Sequence, residues 1–284
     1  MAVHFADLFL HPQDILFKLW KRLPFGSFKT RMDFDIFPRP HYAYCVWHAA
    51  RQAELLRIPR ISLVEFGVAG GNGLVELEKL AQEVEKEFPV EFEIYGFDSG
   101  MGLPAPQDYR DLPYIWKEGF FHMDLPALKA RLARSTLVMG DVAETVPRFF
   151  EDYPDAAPIG AIFSDLDYYS STRDSLGLLK APDQKILPRV YLYFDDIMSA
   201  ELGGLMCDEV GQLKAISEYN SSNEFKKLAP IHGMQYTRKR PARWNEQIYI
   251  HHSFSHNQYA MYVHSDSNRQ LPLTNRGLND GSAI

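Results

Sequence analysis

From Ile61 onward the chain alternates short apolar runs with segments whose apolar residues recur at helical spacing. That alternation admits few folds besides a mostly parallel sheet with helices on both faces. The first run, Ile61-Ser-Leu-Val-Glu-Phe66, opens into Gly67-Val-Ala-Gly-Gly-Asn-Gly73 and then into Leu74–Leu80, apolar at helical spacing. Further parallel strands are predicted over Phe92–Asp98, Ser135–Asp141, Ile159–Asp167 and Arg189–Asp196. An antiparallel terminal pair is predicted over Gln247–Phe254 and Gln258–Val263. Upstream, helices are expected over Asp14–Leu23 and His41–Arg57, the second stopped by Pro59. The chain therefore divides into an N-terminal helical extension (1–60), an α/β domain (61–264) and a polar tail (265–284) expected to be poorly ordered.

Several functional classes drop out on composition. The net charge of −7 over 284 residues disfavours nucleic acid as a partner, since phosphate binding needs a basic surface. No apolar run reaches 18 residues, so neither a membrane span nor a membrane partner is expected. The apolar patches of Phe5–Leu23 are interrupted by His11, Pro12, Gln13, Asp14 and Lys18, which reads as an amphipathic helix rather than a leader. Such a helix would pack on the domain or on a second subunit, so a homo-oligomer is one arrangement it allows. Cys45 and Cys207 have no metal or redox spacing, and a reducing cytoplasm is the simple expectation.

The chemistry concentrates at strand ends, where open parallel sheets bind their ligands. The turn after the first strand lets backbone N–H groups and a helix N-terminus approach a nucleotide-like ligand. It lacks the G-x-G-x-x-G dinucleotide spacing: counted from Gly67, Ala69 and Asn72 fill the other two places. Asp98 ends the second strand, where an acid either accepts hydrogen bonds from ribose hydroxyls or is a solvated turn residue. Asp141 follows the third, where it either meets an adenine amino group or caps the next helix. The fourth ends Asp165-Leu-Asp167 and the fifth Asp195-Asp196. Neighbouring strands run about 4.8 Å apart, which would bring up to four carboxylates to one rim. Acids that close disfavour ionisation unless a cation sits among them, and a Mg²⁺-type ion takes oxygen ligands. Residues 104–124 are long for a connection and rich in aromatics, and read either as a surface loop or as a lid over a substrate.

Two patterns carry a resemblance. Glu65-x-Gly67-x-x-x-Gly71-x-Gly73 resembles the first motif of class I S-adenosylmethionine (SAM) methyltransferases at every defined position. Gly96-Phe-Asp-Ser-Gly-Met-Gly-Leu-Pro104, Gly140-Asp-Val-Ala-Glu-Thr-Val-Pro147, Ser164-Asp-Leu-Asp-Tyr-Tyr-Ser-Ser-Thr172 and Phe194-Asp-Asp196 are similar, in order, to the motif series of the macrocin O-methyltransferase family. The resemblance implies a Rossmann-like class I methyltransferase fold: a seven-stranded, mostly parallel sheet with an antiparallel terminal strand. It also implies Mg²⁺-assisted, SAM-dependent O-methyl transfer to a sugar or other polyhydroxylated small molecule. Glu65, Gly67, Gly71 and Gly73 would shape the SAM loop, Asp98 with Ser99 would hold the ribose, and Asp141 would approach the adenine. Asp165, Asp195 and Asp196 would bind the metal, with Asp167 the general base.

The chain departs from the family in three places. Ser99-Gly-Met-Gly-Leu-Pro104 replaces Ser-Phe-Glu-Gly-Leu-Pro, the Gly-Gly turn before the fifth strand is missing, and Tyr168 stands near where some members have a His. His122, in residues 104–124, is the reserve base. Two other functions fit the residues: a metal-independent small-molecule methyltransferase, and a non-catalytic SAM- or nucleotide-binding protein.

Overall fold

The computed structural model describes residues 12–198 and 203–263. The first residues of the Phe5–Leu23 stretch and the predicted polar tail lie outside them. In chain order the elements are α1 (Pro12–Arg22), α2 (Phe28–Asp33), α3 (Pro40–Leu55), β1 (Arg60–Phe66), α4 (Asn72–Val84), β2 (Glu91–Asp98), α5 (Leu125–Lys129) and β3 (Thr136–Met139). There follow α6 (Val142–Asp152), β4 (Ile159–Ser164), α7 (Tyr169–Ser175), β5 (Ile186–Phe194), α8 (Gly211–Ser222), β6 (Lys226–Pro230), α9 (Met234–Thr237) and β7 (Ile248–Ser253).

The seven strands form one sheet in the order β3-β2-β1-β4-β5-β7-β6. Pairs among β1 to β5 are parallel, and β7 runs antiparallel to both β5 and β6. This is the expected Rossmann-like arrangement, a seven-stranded, mostly parallel sheet with an antiparallel terminal strand.

Alternate residues of the strands supply the two faces. Leu63, Phe163 and Tyr193 join an apolar cluster with α3 and α4. Val64, Phe66, Ile162 and Leu192 join a second cluster with α6, α7 and α8. Apolar side chains on both faces explain why these strands read as near-continuous hydrophobic runs. Helix α3 packs directly on β1, β4 and β5, with Tyr42, Ala43, Cys45, Val46, Ala49, Ala50 and Ala53 all buried. Helix α1 packs through aromatic faces, Phe17 and Trp20 meeting Phe34 at 6.0 and 5.6 Å between centroids, while Leu16, Leu19 and Leu23 stay exposed. Among the described residues no helix is long and apolar enough to cross a membrane.

One predicted strand is corrected. The partner of β7 is β6, not Gln258–Val263. Residues 258–263 turn back on the sheet instead, where the Tyr259 hydroxyl pairs with His252 Nδ1 at 2.8 Å and the Arg189 guanidinium lies 4.1 Å from the Tyr259 ring centroid. An edge strand reading Lys-Lys-Leu-Ala-Pro has one buried apolar side chain, two lysines and a terminal proline, the composition that edges use against further pairing. It carries little hydrophobic signal.

Candidate active site

The sheet grows from β1 outward to β2 and β3, then returns to the other side of β1 for β4 and β5. At that switch point a cavity of about 740 Å³ opens across the carboxyl ends of the strands. Its floor runs from Asp98 and Asp141 past Gly67 to Asp165, Asp167, Asp195 and Asp196.

The glycine loop is shaped by close approach. Gly67 has φ +80°, and a Cβ there would lie 1.8 Å from the carbonyl oxygen of Asp165. The bonds around it explain the squeeze: Gly67 N–H donates to the Phe97 carbonyl, and Asp165 N–H donates to the Phe66 carbonyl. The loop is thus wedged between the ends of β2 and β4. Gly71, at φ +76°, is the left-handed N-cap of α4. Gly73 leaves room for a buried acid, since a Cβ there would come 2.3 Å from Glu65 Oε1.

Glu65 sits under the first turn of α4 with Oε2 unpartnered. Burial above all, then the Asp165 and Asp98 charges, pushes its carboxyl well above the usual range against an opposing pull from Arg39. Of the four motif residues only Gly67 lines the cavity. Glu65, Gly71 and Gly73 shape the loop from below.

On the β2 and β3 side, Asp98 Oδ2 accepts from Ala69 N–H at 2.8 Å and Oδ1 from Gly100 N–H at 2.6 Å. The carboxylate therefore braces two loops, and each oxygen keeps a lone pair for a ligand hydroxyl. Ser99 Oγ accepts from Met101 N–H and donates to the Gly102 carbonyl. Asp141 Oδ1 accepts from Ala143 N–H at 2.8 Å, so the acid does cap α6, and the residue also lines the cavity.

At the other end, carboxylate oxygens of Asp165, Asp195 and Asp196 all lie within 4.8 Å of one another. These are the three acids singled out for a metal. Burial first, then the Asp195 and Asp167 charges, pushes Asp165 up to about 7, with Arg39 opposing. Asp196 is raised well above the usual range by burial and then by Asp167, Asp165 and Asp195. An all-oxygen donor set this crowded fits a hard divalent cation, whose charge removes the repulsion.

Asp167 stands beside them, buried, at φ +58°. Its N–H donates to Asp196 Oδ2 at 3.0 Å. Burial, and then Asp195, raises its carboxyl to about 7 despite a hydrogen bond with Asp196 that lowers it. A left-handed conformation in a non-glycine residue is strained, and here the bend aims the Asp167 amide at its neighbour.

Residues 104–124 wall the cavity through Pro104, Trp116, Glu118, Phe121 and His122. The segment is anchored as well. Asp111, fully buried, accepts from Gln107 N–H, Ser170 N–H and Ser170 Oγ at 2.8, 2.8 and 3.0 Å. Leu103 N–H donates to the Phe120 carbonyl, and Gly119 N–H to the Leu103 carbonyl. The lid and surface-loop readings thus meet in one element, a pocket wall pinned to the start of α7.

Several further titratable residues lie away from the cavity. Glu209 is exposed and pairs with Lys214. His251 is buried against Tyr219, and His256 contacts the Asp183 and Ile186 carbonyls. Among the described residues, His122 is the histidine that lines the cavity.

Sequence reading missed the residues that grip the acids from behind. The Tyr193 hydroxyl donates to Asp195 Oδ1. Gln247 Nε2 donates to the Asp195 carbonyl at 2.6 Å, and Gln212 bonds Asp196 and Ser164. No spacing marks two glutamines 16 and 52 residues from their partners.

No protein-family model matches the chain, and no curated protein matches it. Among solved structures it is similar to the calicheamicin methyltransferase CalS11, at 22% identity over 88% of this chain and 97% of that one, with a TM-score of 0.48. It is also similar to the O-methyltransferase NovP, at 16% identity over 76% and 90% of the two chains and a TM-score of 0.47. A third is the O-methyltransferase TomG of Streptomyces achromogenes, solved with SAM, at 13% identity over 87% and 92% with a TM-score of 0.43. The architecture itself rests on the hydrogen-bonded strand order.

Proposed function

We propose that this protein is a SAM-dependent O-methyltransferase that uses Mg²⁺ and acts on a hydroxylated small molecule. One observation carries the reading: a glycine-loop site and a three-carboxylate cluster share one cavity at the switch point of the sheet. The Gly67 loop with Asp98, Ser99 and Asp141 would hold SAM, and Asp165, Asp195 and Asp196 would hold the cation. When bound, SAM supplies an activated methyl group and the cation lowers the pKa of a coordinating hydroxyl. The remaining work is alignment and proton removal. Asp167, raised to about 7 and facing the cavity, is suited to take the hydroxyl proton near neutral pH. Met101, Leu103, Trp116 and Phe121 give the cavity an apolar wall on which an acceptor ring would stack.

Seven carboxylates line the cavity, and among its described lining residues there is no Lys or Arg. That balance favours an uncharged or cationic polyol, such as a neutral or amino sugar, over a phosphorylated acceptor. The free state of Cys45 and Cys207 agrees with a cytoplasmic enzyme. Residues 61–264 would form the catalytic domain, with the N-terminal helices supporting it through α3.

The test is methyl transfer from labelled SAM to a panel of neutral, amino and phosphorylated glycosides, with Mg²⁺ and with EDTA. Mg²⁺-dependent label in a glycoside supports the reading. Full turnover after exhaustive chelation would leave methyl transfer and remove the metal. SAM binding without product from any acceptor would favour a non-catalytic binder.

A further inference from the structure

The β4–β5 ladder ends at Ser164 and Phe194. Asp165, Asp195 and Asp196 therefore lie beyond the last backbone rung between these two strands, where the Asp167 N–H bond to Asp196 Oδ2 is one tie between the strand ends. Like charges crowded there push the two strand ends apart. Something must hold them.

Gln212, the second residue of α8, spans this gap. It is fully buried. Its Oε1 accepts from the N–H of Asp196 at 3.0 Å, and its Nε2 donates to Ser164 Oγ at 3.1 Å and to the Ser164 carbonyl at 3.4 Å. Ser164 directly precedes Asp165, and Asp196 directly follows Asp195. One amide thus bonds the chain on both sides of the acidic cluster, taking the place of the missing next rung. Glutamine suits the task because it offers an acceptor and donors on one short planar group. The orientation is fixed by its partners, since a backbone N–H can only donate and Oε1 must face it. A glutamate would set an acceptor against the Ser164 carbonyl, and an aliphatic side chain would orphan a buried N–H.

We infer that Gln212 is a positioning residue for the cation site, setting the distance between the acid of β4 and the acids that follow β5. The inference rests on the reading that Asp165, Asp195 and Asp196 bind a divalent cation. Gln212 does not line the cavity, and its hydrogen bonds go to Ser164 and Asp196 rather than to the Gly67 loop. Its loss therefore acts on cation affinity and spares SAM affinity. Groups that hold metal ligands in place are typically worth about 10–100-fold in metal affinity.

The experiment is Mn²⁺ and SAM titration calorimetry on the full chain, for wild type, Gln212→Met and Ser164→Ala, each checked by thermal unfolding. Gln212→Met keeps the length and removes every hydrogen bond. The expected result is at least about tenfold weaker Mn²⁺ binding in Gln212→Met, with SAM affinity held within about threefold. Ser164→Ala removes one partner of three and should fall between wild type and Gln212→Met. Mn²⁺ affinity within about twofold of wild type in a folded Gln212→Met would overturn the inference. So would parallel losses of Mn²⁺ and SAM binding, which mark a general structural defect. If Gln212→Met does not fold, unchanged Mn²⁺ affinity in Ser164→Ala overturns the inference and weakened affinity supports it. Failure of the wild type to bind Mn²⁺ would instead sink the cation reading, and this inference with it.

Discussion

Gly67→Ala should damage both halves of the cavity through one methyl group. A Cβ at this position would stand 1.8 Å from the Asp165 carbonyl oxygen and 2.8 Å from its carbonyl carbon. Neither is the end of a flexible side chain, so the backbone of β1 or β4 has to move. The φ of +80° adds strain that glycine does not feel. Left-handed backbone costs an alanine about 1–2 kcal/mol, and forced overpacking typically about 1–3 kcal/mol, giving roughly 2–5 kcal/mol together. For a domain of this size class that corresponds to a fall of roughly 4–20 °C in melting temperature. Because the displaced group is Asp165 itself, SAM and Mg²⁺ affinity should both drop. Gly70→Ala is the control for stability, since a Cβ there meets nothing within 4 Å and its φ is ordinary. It should stay within about 0.5 kcal/mol of wild type. The assay is calorimetric unfolding of the two variants, followed by ligand titration. A Gly67→Ala protein melting within about 2 °C of wild type, with both affinities intact, would refute the close-approach account of this glycine.

Four further outcomes follow from the structure. Asp165 is raised to about 7, so cation binding displaces a proton, and Mg²⁺ affinity should weaken by roughly tenfold between pH 8 and pH 6 for one proton displaced. In the cation-free protein the sign reverses. The stability that these raised acids contribute is fully present below the usual carboxylate pKa and is lost as pH rises through about 7, so melting should fall from pH 6 to pH 8 and added Mg²⁺ should restore it; a flat profile would count against the crowding. Glu78 accepts from the amides of Ala133, Arg134 and Ser135 and from the Ser135 hydroxyl, and Glu78→Gln should cost about 1–3 kcal/mol in denaturant unfolding at pH 7. Burial pushes its carboxyl up, but those bonds outweigh it and leave the pKa lowered, so the penalty should shrink in acid as pH falls through that lowered value. Asp111→Ala should free the cavity wall from Ser170, seen as faster proteolysis within 104–124 and a raised KM for the acceptor, with SAM affinity little changed.

The five parallel strands were legible because each is a mainly apolar run that ends in a turn or an acid, and burial on both faces keeps polar interruptions such as Ser62 and Glu93 few. The site acids were legible for the same reason, since a strand end places its residue at the rim whatever the rest of the fold does. Lys226–Pro230 was not legible, as an edge strand needs one buried residue and little else. Gln258–Val263 shows the reverse error, where alternating Tyr, Met and Val suggested a strand, yet Tyr259 is spent on His252 and Arg189. Gln212, Gln247 and Asp111 escaped because their value lies in partners distant along the chain. No local period reports a glutamine whose amide happens to meet Ser164 and Asp196.

In the proposed function one cavity holds two separable sites, one for SAM and one for a divalent cation. Asp195→Ala separates them, because it removes a cluster carboxylate while the Gln247 bond, made to the Asp195 backbone carbonyl, survives. Titration calorimetry of wild type and Asp195→Ala with SAM and with Mg²⁺ is therefore the most direct measurement. The wild type should bind both, and the variant should keep SAM affinity while losing Mg²⁺. A wild type that binds no SAM with Mg²⁺ or with EDTA would contradict the proposed function.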